Sequence, residues 1–259
     1  MKSQLSIVEK RAISSKNLQN RLNLNKKLGT KDLSEWLFKR YKINKGDKIL
    51  ELGCGIGGHV IKESSLVGTK GFILATDYSK KSLKLLKKKI KNKNVEVKCI
   101  PMDDISNLLS YKKKKFNKII SSYALYYAKN PLKVIKSSSF FLEKNGSFLI
   151  TAPCYPHTLT EFASSQKTLP KIAKKYIDFS QKNLEKFLKK KKIKYKSYNF
   201  KNTLKFKDEN DLLDFYRSTV FYNKKSEKSL SRIFRKSKKR LGYFNILKSA
   251  KLYKFKYIS

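Results

Sequence analysis

The sequence predicts an α/β fold built on a doubly wound, mostly parallel sheet. Three observations carry that expectation: apolar runs of strand length, amphipathic segments of helix length between them, and a glycine cluster where the first run ends, "ILELGCGIGGHV" at 49–60. Strand and helix alternating at this cadence give a parallel sheet covered on both faces. A chain of 259 residues has room for one large α/β domain with an appendage. Apolar residues make up 40% of it, with 15 Tyr and 16 Phe, enough for a sizeable core.

Each element follows from its local pattern. "DLSEWLFKRYKI" sets Leu33, Trp36, Leu37 and Tyr41 on one helical face. "KGDKILELGCG" is a turn and a buried strand, and "HVIKESSLV" a helix. "GFILATD" is a second strand, followed by a helix with Ser79 as N-cap and Leu83, Leu86 and Ile90 on one side. "VEVKCIPMD" and "FNKIISSYAL" are the third and fourth strands, "NPLKVIKSSSFFLEK" the helix after the fourth, and "NGSFLITAP" a turn and the fifth strand. After Thr151 the cadence changes. Helical segments follow, then the extended "IKYKSYNFKNTLKF", a helix capped by Asp208, and a C-terminal stretch that alternates like a strand pair.

Ligands of such sheets lie beyond the carboxyl ends of the strands. Glu51 and the glycines end the first strand, Asp77 the second, Asp103 the third, Ser121 and Ser122 the fourth, and Pro153 to His157 follow the fifth. The glycine cluster fits two patterns: G-x-G-x-x-G from Gly53 to Gly58, which suits a dinucleotide, and acid-x-G-x-G-x-G from Glu51 to Gly57. A pyrophosphate wants positive potential from a helix N-terminus and no carboxylate nearby. Glu51 disfavours it and suits an ammonium or sulfonium. Asp77, about 20 residues on, suits ribose hydroxyls of either ligand, and Asp103 suits an adenine amino group. Three acids and no basic residue in the loop describe a cationic nucleoside without phosphates, S-adenosylmethionine (SAM).

The motifs "ILELGCGIGGH", "ILATDYS", "IPMDDI", "FNKIISSYALYY" and "FLEKNGSFLITAP", in this order over about residues 45 to 153, resemble those of class I SAM-dependent methyltransferases, in particular the group that includes ubiquinone and menaquinone biosynthesis methyltransferases. The resemblance implies a Rossmann-like sheet of about seven strands with an antiparallel C-terminal strand. It also implies a helical N-terminal lid over 1–45, a SAM-binding core over 46–153, and a substrate-side helical insert with C-terminal strands over 154–259. It puts Glu51 near the methionyl amino group and Gly53, Gly55 and Gly57 under the methionine and ribose. Asp77 takes the ribose, Tyr78 lies beside the adenine, Asp103 takes its amino group, and Met102 and Asp104 flank the ring. Ser121 contacts SAM, and Arg21 reaches the methionyl carboxylate from the lid. Asn117 departs from the Asp usual in this family. A competing reading makes Asp103 or Asp104 the cap of a helix beginning near Ile105.

Methyl transfer is an in-line displacement in which the enzyme orients the acceptor and excludes water. An oxygen or nitrogen acceptor with a proton calls for a base, for which the candidates are His157 and Glu161, on one face if "TLTEF" is helical. His59, in the helix after the glycines, reads as structural. Tyr123, Tyr126 and Tyr127 are candidates for the acceptor pocket and equally for packing. Cys154 follows the fifth strand, not the fourth as in cytosine-C5 RNA methyltransferases, and the Asn/Asp-Pro-Pro-aromatic motif of adenine methylases is missing. The leading expectation is a methyltransferase acting on an oxygen or nitrogen of a small molecule: a sugar, a lipid-like compound or a secondary metabolite. The alternatives are an RNA methyltransferase using the basic surface and a non-catalytic SAM-binding module.

The formal net charge is +43. A surface this positive attracts polyanions non-specifically at low salt. The only arginines are Arg11, Arg21, Arg40, Arg217, Arg232, Arg235 and Arg240, whereas readers of phosphate and guanine favour Arg. The excess of Lys, Asn, Ile, Tyr and Phe also fits compositional bias. No apolar run reaches the ~18–20 residues of a membrane span, and the first residues do not read as a signal peptide. Three scattered cysteines, Cys54, Cys99 and Cys154, form neither a disulfide framework nor a zinc motif, so a reducing, cytoplasmic setting and no metal are expected.

Overall fold

The structure, a computed structural model, describes residues 10, 14–108, 111 and 115–257. The start of the chain and most of the lysine run at 112–115 lie outside the described residues. The chain divides into two compact units. One comprises Ser34–Pro153, Asp178–Asn199 and Lys251–Ser259, and the other Met1–Leu33, Cys154–Ile177 and Phe200–Ala250.

The first unit holds the sheet. Its strands are β1 (Lys48–Leu52), β2 (Phe72–Asp77), β3 (Val95–Cys99), β4 (Phe116–Ser122) and β5 (Leu142–Cys154), with β6 (Tyr195–Phe206) and β7 (Phe244–Phe255) running on into the other unit. The order is β3-β2-β1-β4-β5-β7-β6, and the C-terminal strands are antiparallel. The pairs β1–β2, β1–β4, β2–β3 and β4–β5 are all parallel. Crossovers in the described chain are α3 (Gly58–Val67), α4 (Lys80–Lys87) and α5 (Pro131–Ser139), with α2 (Leu33–Tyr41) ahead of β1. Ile49, Leu50, Ile73, Leu74, Ala75, Ile119, Ile120 and Leu149 are at most 1% exposed. These strands are covered on both faces, which is why they read as continuous apolar runs rather than alternating ones. Ser79 and Asn130 cap α4 and α5 by accepting the backbone N–H of Ser82 and Lys133.

Two features secure the strand starts. Lys118 of β4 pairs with Asp47, ahead of β1, with both residues buried. Asn117 accepts the Lys48 N–H (2.6 Å) and donates through Nδ2 to Glu143 (2.6 Å). An Asp at 117 would keep the first bond and set a carboxylate against Glu143. The Asn at this position is therefore matched to its neighbour.

The glycine loop between β1 and α3 turns on positive φ at Gly53 (78°), Gly55 (55°) and Gly57 (79°). The Gly53 and Cys54 N–H groups both donate to the Thr76 carbonyl (2.8 and 2.9 Å). A Cβ on Gly57 would lie 2.1 Å from Leu86 Cδ1, in a core where Leu86 is fully buried.

The second unit contains α1 (Ser15–Leu28), α6 (Thr158–Ser165), α7 (Lys171–Asp178) up to its last residue, α9 (Glu209–Arg217) and α10 (Glu227–Leu241). Between α7 and α8 (Glu185–Lys190) the helix widens into a π turn, Phe179–Leu184, in the sheet unit. The second unit's core gathers Leu24, Leu159, Phe162, Leu204, Phe206, Leu212, Phe215, Tyr216, Leu230, Phe234 and Ile246. Lys248 is half-buried against it. Its Nζ donates to Asn25 Oδ1 (2.8 Å) and lies 5.4 Å from the centre of the Phe215 ring. Desolvation, with Arg21 nearby, pushes its ammonium down to about 7.

Two outcomes follow from this packing. Gly57→Ala combines a strained left-handed backbone with a steric conflict and destabilises the protein by about 2 kcal/mol or more, read as a lower denaturant midpoint. Lys248 has a folded pKa of about 7 against an ordinary 10.5. Wild-type stability therefore carries the full cost of the buried charge below pH 7 and sheds it as pH rises towards 10.5. Lys248→Met raises stability most below pH 7, and its advantage shrinks across that window in denaturation series at several pH values.

Candidate functional site

The acids expected around a nucleoside sit in the sheet unit at the tips of β1 and β2 and in the 3₁₀ turn Met102–Asn107 that follows β3. Asp77 is the best engaged. Its Oδ2 accepts the Gly55 N–H (2.8 Å) and its Oδ1 the Ser79 N–H (2.8 Å). Burial raises its pKa against the pull of these N–H groups. A carboxylate has about four lone-pair positions, so these N–H groups leave Asp77 room to accept from a further donor. Tyr78 is 44% exposed, as a residue offering a ring face to a ligand would be. Met102 comes close to the loop: a Cβ on Gly53 would lie 3.5 Å from its Cε and 2.3 Å from Ala124 Cβ.

Glu51 is 3% exposed, and its Oε2 has no hydrogen-bond partner. Burial raises its carboxyl to about 7; contact with Glu63 works against that rise and the Asp77 charge adds to it. Glu63, one turn into α3, is fully buried, and neither of its oxygens has a donor. Burial, then the Glu51 charge, raises it well above the carboxylate range. His59, which precedes Glu63 by one turn, rests edge-on to Phe38 and Tyr41 (5.6 and 6.4 Å between centroids). Glu63 was not singled out from the sequence. "KESS" on an amphipathic helix reads as a solvated face, and only its burial marks it.

Other candidates are placed differently. Asp103 accepts the backbone N–H of Lys129 and Asn130 (3.0 and 3.1 Å), so it clamps the start of α5 rather than capping a helix near Ile105. Asp104, in the same turn, is exposed. Ser121 is 1% exposed and donates its hydroxyl to the Leu52 carbonyl (3.0 Å), bracing β4 against β1. Tyr123 holds a φ of 55°, with its N–H donated to the Thr151 carbonyl (2.9 Å). Tyr126 is buried, and Tyr127 packs on it at 4.8 Å.

In the second unit, Arg21 donates to the Ser218 carbonyl at the end of α9. His157 and Glu161 do not share a helical face. The first helical residue of α6 is Thr158, and His157 precedes it in extended backbone as N-cap. Its ring is buried, 5.1 Å from Phe221 and 3.3 Å from Thr160 Oγ1, while Glu161 is exposed. Desolvation, then Lys248, pushes the imidazole down to about 3, so it is neutral at pH 7 and a weak base.

Comparison with known proteins shows the family and the fold. A family model described as a methyltransferase domain matches residues 43–202. Among curated proteins, the chain is 32% identical over 107 residues to a ubiquinone/menaquinone biosynthesis C-methyltransferase of Wigglesworthia glossinidia brevipalpis, covering 41% of this chain and 43% of the relative. It is 27% identical over 140 residues to a demethylmenaquinone methyltransferase of Lactobacillus johnsonii, covering 53% and 57%. The chain thus spans about half the length of these relatives. A solved SAM-dependent methyltransferase from Aquifex aeolicus shares the fold at a TM-score of 0.54 and 13% identity, over 94% of this chain and 98% of that one. The chain belongs to the methyltransferase domain family, within the class I SAM-dependent methyltransferases.

Proposed function

We propose that the protein binds SAM at the β1 and β2 tips and transfers its methyl group to a small-molecule acceptor. The observation that carries this reading is a glycine loop ringed by carboxylates. Glu51 and Asp77 flank it, and Glu51 holds a buried oxygen with no partner inside the protein. Burial raises Glu51 to about 7, and a cationic group beside it favours the ionised form; the methionyl ammonium supplies one. The sulfonium supplies the methyl group. The chain's own residues position it: Asp77 accepts ribose hydroxyls, Gly53, Gly55 and Gly57 let the backbone approach, and Tyr78, Met102, Asp103 and Asp104 line the adenine. Ser121 acts indirectly by fixing the β4 tip, and Arg21 is the candidate for the methionyl carboxylate.

Tyr123, Tyr126 and Tyr127 are proposed for the acceptor side, and His157 and Glu161 are proposed as groups that accept or orient a proton. His157, neutral and weakly basic, suits orientation of an acceptor hydroxyl or amine. The names of the two relatives specify carbon as the methylated atom in one case and demethylmenaquinone chemistry in the other. Carbon therefore stands beside oxygen and nitrogen as the acceptor atom. The net charge of +43 supports one second reading, methylation of RNA.

Calorimetric titration is expected to show micromolar SAM binding and none of NADH; the reverse result defeats the proposal. Asp77→Asn weakens SAM by about 10- to 100-fold, the worth of a charged hydrogen bond. His157→Asn leaves SAM affinity unchanged and lowers transfer to extracted acceptors. Label from SAM appearing in the small-molecule fraction supports the main reading, and label appearing in RNA the second.

A further inference from the structure

We propose that Lys248, with His157 beside it, forms an anion site in the second unit that takes the carboxylate of an organic acid, so that the acceptor is an acid methylated at another atom. The acceptor role rests on the methyltransferase reading; the anion site rests on the second unit alone. Segments distant in sequence meet around this ammonium. Lys248 comes from β7. Its Nζ donates to Asn25 Oδ1 of α1 (2.8 Å) and lies 5.4 Å from the centre of the Phe215 ring of α9. Leu247, one residue earlier, donates its N–H to Thr158 Oγ1 (3.0 Å), which brings this stretch of β7 to the start of α6, where His157 is the N-cap. The His157 ring rests 5.1 Å from Phe221. Arg21 lies one turn before Asn25 on α1, and Asn25 Nδ2 donates to the Arg21 carbonyl (2.6 Å).

The charges acting here have one sign. After burial, the Arg21 charge depresses Lys248, and the Lys248 charge depresses His157. No acid among the described residues pairs with Lys248. The acids of the same unit are used elsewhere. Asp211 pairs with Lys27, Asp214 and Glu227 with Arg217, and Glu209 with Arg235. Asp208 caps α9, and Glu161 is exposed. The start of α6 has no side-chain cap, and a helix start adds about half a positive charge. A half-buried ammonium beside a second cation costs stability, and the chain sets no carboxylate of its own against it. A carboxylate brought by a ligand offsets that cost.

The donors and the rings select the class. An ammonium has three N–H donors, and Asn25 accepts from one. The remaining pair matches a single carboxylate. A phosphate is better served by the Arg fork, whereas lysine is a compact point charge. Phe215 and Phe221 are apolar rings at the same place and suit the carbon body of an acid rather than a second charge. Lys248 is only half-buried, so a ligand can reach it.

The test titrates sodium acetate, sodium benzoate, neutral benzamide and inorganic phosphate into the full chain at about 0.15 M salt, where exposed lysines are screened. Binding is followed by calorimetry and by Tm. At least one of the two carboxylates is expected to bind and raise Tm, and benzamide is not. Lys248→Met keeps the apolar stem, removes the charge and is expected to fold at least as stably, so its loss of binding is not a loss of fold. It is expected to weaken the carboxylate by about 10- to 100-fold and to leave SAM affinity unchanged. That pattern supports the site. Neither carboxylate binding to the wild type, or both binding equally to the variant, overturns it. So does weaker SAM binding by the variant, which assigns Lys248 to the methionyl carboxylate, and so does a preference for phosphate. With labelled SAM and extracted acceptors, label is expected in small molecules retained on an anion-exchange resin; label in neutral ones alone overturns the acidic acceptor. Carboxylate binding without SAM binding sinks only the methyltransferase reading, and SAM binding without carboxylate binding sinks only the anion site.

Discussion

The Asp77 carboxylate is the joint on which the nucleoside end of the sheet depends. Its two oxygens accept the N–H of Gly55 and the N–H of Ser79 (2.8 Å each), tying the last residue of β2 to the glycine loop on one side and to the start of α4 on the other. One residue earlier, the Thr76 carbonyl accepts from Gly53 and Cys54, and the Thr76 hydroxyl donates to the Glu51 carbonyl (2.8 Å). The loop is thus shaped by the end of its neighbouring strand as much as by its own glycines. Bonds from backbone N–H groups to a charged acceptor are among the stronger ones. They hold the carboxylate at a fixed height above the sheet before any ligand is bound. Pre-organisation of this kind is what converts ligand contacts into affinity.

The charge distribution runs against the composition. The excess of Lys over acids lies mainly at exposed positions, where lysines are solvated and ion pairs such as Lys27–Asp211 and Lys182–Asp178 contribute little. The buried charge is organised differently. Lys118 meets Asp47, and Glu185 meets Lys251, Tyr253 and Tyr195 in the sheet unit, which holds its carboxyl down at about 2 despite partial burial. Against those satisfied groups, Glu51 and Glu63 stand out: they lie against each other with no basic partner among the described residues, and burial raises both carboxyls. That contrast gives the acidic pair its meaning, for the overall charge alone would suggest a polyanion binder.

Strands β1 to β5 and the glycine loop were legible because they rest on local signals: continuous apolar runs, a cap at Ser79, and glycines where φ must be positive. Asp77 was legible for the same reason, as an acid ending a strand. What escaped depends on contacts distant in sequence. Glu63 follows Lys62 in an ordinary amphipathic pattern, and only the packing of α3 makes it the most buried acid among the described residues. His157 and Glu161 have helical spacing, but the helix begins one residue after the histidine, a boundary finer than periodicity resolves. Ser121 ends a strand as expected, yet its hydroxyl turns inward to the Leu52 carbonyl, a choice made by the neighbouring strand. The grouping of residues 15–28, 154–177 and 200–250 into one unit leaves no local trace either, because it depends on a core that joins the first segment to two others more than a hundred residues later.

The sign of charge at the β1 tip carries the choice of ligand. Two unit charges at 4 Å interact by about 4 kcal/mol at an effective dielectric near 20. A pyrophosphate brought to this loop would meet Glu51 and Asp77 with repulsion of that order and would find no basic side chain between Gly53 and Gly58 to offset it. The helix N-terminus at Gly58 contributes only about half a charge in its favour. An ammonium or sulfonium is drawn in by both carboxylates and opposed only by the half charge of the helix end. The glycines, shared by both ligand classes, settle nothing. The decision lies with the acids: Asp77, and Glu51 two residues ahead of the glycines, whose burial lifts its carboxyl to about 7 so that a cation beside it favours the ionised form and an anion the protonated one.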